Sequence, residues 1–135
     1  MTHELVLDTN VLVAGLRSKR GASYLLLRLL AENRFRLNIS VALALEYEDV
    51  LKRPGLLAGL TETEIDAFLD YLLATSKLAP SVPRLRPSLD DPDDERTVEL
   101  AVQCGAIIVT HNKRDFVGAR HSGFRRRLGQ KFLRF

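Results

Sequence analysis

Three short apolar runs, residues 4–7, 35–39 and 106–109, alternate with longer leucine-rich segments, and this alternation most constrains what the chain can fold into. Runs of that length with β-branched centres suit buried strands and are too short to be stable helices. Residues 22–32 contain no breaker and read as a helix. Ser40 can cap a second helix over about 41–52, which stops before Pro54-Gly55. Thr61 with Glu64 three residues on has capping-box spacing and announces another helix, with Leu60 and Ile65 placed as its hydrophobic staple. Residues 79–92 hold four of the five prolines and read as an extended connection into Asp90-Asp91-Pro92-Asp93-Asp94. Helix resumes over about 94–103, Gly105 can end it, and the last apolar run closes at Thr110. Strands alternating with helices imply an α/β fold, its mainly parallel sheet covered on both faces, with ligands bound beyond the carboxyl ends of the strands. Asp8 and the segment from Thr110 to Asn112 both fall at such ends.

The chain of 135 residues, 46% of them apolar, suits a single domain over 1–135 with one buried core. No export signal or membrane-length apolar run is visible, and the lone Cys104 cannot form an intrachain disulfide, so a reducing, cytoplasmic setting is expected. The net charge of +3 hides an asymmetry. Lys113, Arg114, Arg120, Arg125, Arg126, Arg127, Lys131 and Arg134 against Asp115 alone leave residues 113–135 at +7, and the rest at −4. A basic segment beside an acidic body suits a protein that holds a polyanion near bound cations; a solvated basic terminus explains the charge as well.

Phosphodiester hydrolysis needs an activated water and neutralised phosphate charge, and hard cations held by carboxylates provide both. Candidate ligands are Asp8 after the first strand, Glu46 in the helix after the second, Asp94 at a helix start, and Asn112 or Asp115 after the last strand. Each has an ordinary alternative. Asp8 can simply cap the helix that follows it. Leu43, Ala44, Tyr47, Val50 and Leu51 share one helical face, flanked by both Glu46 and Glu48 while Asp49 points away, so periodicity does not choose between the two glutamates. Acidic residues 90–94 also suit a helix N-terminus, although their mutual repulsion favours a cation nearby. His3, His111 and His121 show no zinc-ligand spacing with Cys104. Asn10 stands where an aspartyl-phosphate enzyme needs its second aspartate, and glycine-rich nucleotide fingerprints are absent.

Four blocks, Leu5-Val6-Leu7-Asp8-Thr9-Asn10-Val11-Leu12-Val13, Glu46-Tyr47-Glu48-Asp49-Val50-Leu51, Asp91-Pro92-Asp93-Asp94 and Ile108-Val109-Thr110-His111-Asn112-Lys113-Arg114-Asp115-Phe116, occur in the order and rough spacing of PIN-domain proteins. Over about residues 4–117 the chain resembles that family, and looks closest to members assigned as toxin components of prokaryotic toxin–antitoxin pairs. The resemblance implies a three-layer α/β/α sandwich and an Mg²⁺- or Mn²⁺-dependent ribonuclease site. It implies Asp8, Glu46 and Asp94 as acidic ligands, with Asp93 as a neighbour able to share the role. The fourth position falls on Asn112, where many relatives carry aspartate, and Asp115 could compensate. Thr9 and Thr110 would orient ligands, Asn10 would hold the first loop, and Lys113, Arg114, Arg125, Arg126 and Arg127 are candidates for the RNA backbone. An antitoxin protein that blocks the acidic pocket, and a homodimer through helices such as the one over 61–78, are implied as partners. The competing reading is a degenerate PIN domain that binds RNA or protein without cutting, and Asn112 keeps it open. The basic stretch Gly123-Phe124-Arg125-Arg126-Arg127-Leu128 departs from the apolar final segment usual in that family.

Overall fold

Leu5, Val6 and Leu7 are consecutive in the first strand and all buried, although neighbouring strand residues point to opposite faces. A strand buried on both sides must lie inside a sheet covered by helices above and below. The same triplet burial recurs at Leu37, Asn38 and Ile39 and at Ile108, Val109 and Thr110. The computed structural model describes residues 3–80, 92–110 and 132–134. Its elements are β1 (His3–Leu7), α1 (Thr9–Arg17), α2 (Ala22–Ala31), β2 (Phe35–Ile39), α3 (Val41–Leu51), α4 (Glu62–Thr75), β3 (Lys77–Leu78), α5 (Pro92–Cys104), β4 (Ile107–Thr110) and β5 (Phe132–Arg134). The strands form one sheet in the order β3-β2-β1-β4-β5, and every pairing is parallel.

The fold is the expected α/β sandwich, with β1 in the middle of the sheet. The register explains what happens at its exit. β1 pairs with β2 from His3 opposite Phe35 only as far as Leu5 opposite Leu37, whereas it pairs with β4 as far as Leu7 opposite Val109. Beyond Leu5 the pairing of β1 with β2 stops, and β2 pairs with β3 through Asn38 opposite Lys77 and Ile39 opposite Leu78. On the other side the ladder runs one step further, with the Asp8 amide donating to the Val109 carbonyl at 2.9 Å. The strand order reverses between β1 and β4, and an open parallel sheet offers its ligand crevice beyond the carboxyl ends of the strands at such a switch point.

Helix boundaries follow their caps. The Ser40 hydroxyl accepts from the Leu43 amide at 3.1 Å and starts α3. Thr61 and Glu64 satisfy each other's backbone amides in a complete capping box at α4. Lys52, just past α3, reaches Asp66 at 2.6 Å, Glu48 at 3.5 Å and Glu62 at 3.8 Å, tying α3 to α4. Pro92 occupies the first helical position of α5, where its missing amide costs nothing, so this helix starts two residues before Asp94. Gly105 leaves α5 with φ +62°, a left-handed turn that lets the chain enter β4 within two residues. Two short strands were not legible in the sequence, β3 and β5. The latter pairs Phe132, Leu133 and Arg134 with Ile108, Val109 and Thr110, so the sheet does close with a final parallel strand. Among the described residues no helix is long and apolar enough to cross a membrane.

Candidate functional site

Asp8 sits at the carboxyl end of β1 and occupies the cap position of α1, yet its side chain makes no capping hydrogen bond. It is 7% exposed. Its Oδ2 instead accepts from the Thr110 hydroxyl at 2.8 Å, across from the end of β4. The ordinary explanation for an aspartate at this position therefore fails: the carboxylate is held sideways over the sheet edge rather than folded back onto the helix. Holding a carboxylate out of water is costly unless charge or hydrogen bonds compensate, and a site that does so is a functional candidate.

α3 contributes the second carboxylate. Leu43, Tyr47 and Leu51 are buried along its inner face, with Ala44 and Val50 half-buried beside them, as periodicity predicts. The two flanking glutamates have different fates. Glu48 is exposed and engages Lys52 on the surface; Asp49, also exposed, pairs with Arg53 at 3.4 Å. Glu46 is half-buried. The Tyr47 phenol is pushed well above its ordinary value, first by burial and then by the negative charges of Asp8 and Glu46. Both carboxylates are thus within electrostatic reach of one buried ring. The Tyr47 hydroxyl donates to the Leu7 carbonyl at 2.6 Å, next to Asp8 in the chain.

α5 brings the third acidic segment. It packs against β1, β2, β4 and α3, and its two-residue connection to β4 forces it to run opposite to the strand it packs on. Its first turn, with Asp93 and Asp94, therefore starts at the same edge of the sheet where Asp8 and Thr110 end. The side chains of Asp93 and Asp94 lie outside the described residues, as do Asn112, Asp115, Lys113, Arg114, Arg125, Arg126 and Arg127. Among the described residues no three His, Cys, Asp or Glu side chains come close enough to hold a metal ion. Thr9 is buried beside Asp8, and its hydroxyl has no hydrogen-bond partner, while Asn10 is exposed. Cys104 is half-buried far along α5, and burial pushes its thiol up, the opposite of an activated nucleophile.

Tyr47 is the one residue at this site that the sequence analysis counted only as core. The available signal was chemical: a tyrosine on a fully buried helix face must find a partner for its hydroxyl.

A model of the PIN domain family matches residues 4–114. No curated protein matches the chain in sequence. Among solved structures, the fold is similar to a chain in the crystal structure of VapBC2 from Rickettsia felis bound to a DNA fragment from their promoter. The TM-score is 0.60 at 17% identity, with 98% of each chain covered. At that identity the likeness speaks for the fold.

Proposed function

Because this chain belongs to the PIN domain family, whose members are generally nucleases that use divalent metal ions, we propose that it is a metal-dependent endoribonuclease and the toxin of a toxin–antitoxin pair. The observation that carries the reading is the Asp8 carboxylate, buried at the sheet edge, held by Thr110 and released from capping duty. The donors fit a hard cation. Asp8 and Glu46 are oxygen ligands, Asp94 and Asp93 begin α5 at the same edge, and no thiol or imidazole is among them, a set suited to Mg²⁺ or Mn²⁺ rather than zinc. The unpartnered Thr9 hydroxyl beside Asp8 is a further polar atom that bound water or cation would satisfy.

When bound, the ion polarises the phosphate and makes water a nucleophile near neutral pH. The chain's part is to fix the acids and the substrate. Thr110 holds one Asp8 oxygen and so fixes the carboxylate at the carboxyl end of the sheet. Glu46 lies on α3 and Asp94 in the first turn of α5, and in this reading both serve with Asp8. Asn112 supplies an oxygen without charge where many relatives have aspartate, with Asp115 close by in sequence. Lys113, Arg114, Arg125, Arg126 and Arg127 offer cations for the RNA backbone. A cognate antitoxin and a homodimer complete the reading, in a cytoplasmic protein.

The test is cleavage of a panel of structured and single-stranded RNAs in Mg²⁺, Mn²⁺ or EDTA, with native protein, Asp8→Asn and Asp94→Asn. Cleavage is expected to require metal and to vanish in both variants. Folded protein that neither binds metal nor cuts any RNA would make the chain a binding module instead. Co-purification with the product of the adjacent gene tests the antitoxin.

A further inference from the structure

Along a strand, successive residues direct their N–H and C=O groups to alternate sides. The Asp8 amide faces β4, since it donates to the Val109 carbonyl. The Leu7 carbonyl, one residue earlier, must then face the β2 side. There the ladder has already ended, because the β1–β2 register stops at Leu5 opposite Leu37. The end of that pairing thus leaves a buried carbonyl without a sheet partner immediately before Asp8. The Tyr47 hydroxyl fills that vacancy at 2.6 Å, from a ring that is 1% exposed on the inner face of α3.

The bond joins two elements that carry the two described carboxylates. Leu7 precedes Asp8, and Tyr47 follows Glu46, so one hydrogen bond spans the junction between adjacent residues on each side. We infer that Tyr47 is a positioning residue, whose hydroxyl pins α3 to the carboxyl end of β1 and so sets the spacing of Asp8 and Glu46 for a divalent cation. This rests on the reading of those two carboxylates as metal-binding groups. Tyr47 does not itself touch the ion or the substrate. Its ring fills the core while its hydroxyl fixes the register of a helix against a strand that could otherwise slide at the point where sheet pairing fails.

The experiment is calorimetric titration of the full chain with Mn²⁺, with folding of each variant checked by circular dichroism. Tyr47→Phe keeps the ring and removes only the donor. It is expected to weaken Mn²⁺ binding by roughly 10- to 100-fold, the range for removing a group that orients metal ligands. Tyr47→4-aminophenylalanine restores a donor and is expected to restore affinity. Ile65→Val, in the buried face of α4, lowers stability without reaching the site and should bind Mn²⁺ as the native chain does. If Tyr47→Phe does not fold, Tyr47→4-methylphenylalanine against Tyr47→4-aminophenylalanine carries the same contrast. Binding that Asp8→Asn abolishes but Tyr47→Phe leaves intact overturns the role of Tyr47 alone. Absence of Mn²⁺ binding by the native chain overturns the metal reading and this role with it.

Discussion

At the scale of single residues, the site holds a carboxylate out of water by hydrogen bonding that reaches across the sheet. Thr110 is the clearest case, because its hydroxyl is the described donor to a carboxylate nearly out of water. Thr110→Val keeps the shape and removes that donor. Hydrogen bonds to charged groups contribute about 1.5–3 kcal/mol, so urea unfolding should show a loss of that order. Metal affinity should fall by roughly tenfold or more if the bond orients Asp8; a variant as stable and as tight as native protein would show the contact to be incidental. Tyr47 gives a pH signature. Its pKa is raised in the folded chain above its ordinary value of 10.0, so on alkaline titration the unfolded chain loses this proton first. Stability should therefore be intact below about pH 10 and decline as pH rises toward the folded value. Tyr47→Phe should lack this component of the decline when unfolding free energies are compared across that range. Asp8 could be read from the sequence as either a cap or a ligand, and it took the geometry of its oxygens to show that it makes no capping bond. Glu46 and Glu48 were equivalent by periodicity, and Lys52 separates them by claiming Glu48 at the surface.

At the scale of elements, local chemistry was legible where caps are local. Ser40, Thr61 with Glu64, and Gly105 each mark a boundary through contacts within a few residues, so their helices and the turn into β4 could be read directly. The capping box of α4 gives a measurable consequence. Thr61→Ala removes the acceptor for the Glu64 amide and should cost about 1 kcal/mol, seen as a lower urea midpoint with an unchanged slope. An equal midpoint would mean that Lys52 and the packing of Ile65, Leu69 and Leu72 hold α4 without its cap. β3 and β5 were illegible for the opposite reason. Lys77 and Leu78 are exposed and too few to show alternation, and they become a strand only because β2 offers its free edge. Phe132 to Arg134 follows a run of arginines, and what makes it a strand is backbone pairing to β4.

At the scale of the molecule, the strand order could not be read from periodicity, yet it decides which strand ends lie side by side. The central place of β1 and the docking of β4 beside it bring Asp8 and Thr110 together. Charge also acts at this scale: the +7 of residues 113–135 opposes an acidic body. If Arg125, Arg126 and Arg127 contact RNA phosphates, replacing all three with alanine should weaken binding to single-stranded RNA. It should also flatten the salt dependence by about 2 in the slope of log K against log salt, at roughly 0.7 per contact. Unchanged slope would assign that arginine run a different task. The Asp8–Thr110 hydrogen bond joins residues 102 positions apart. On a translating ribosome β1 emerges early and must wait for β4, so Asp8 lacks its partner until residue 110 has cleared the exit tunnel. On the proposed nuclease reading, the acidic edge stays unassembled beside the chain's own messenger RNA for most of its synthesis.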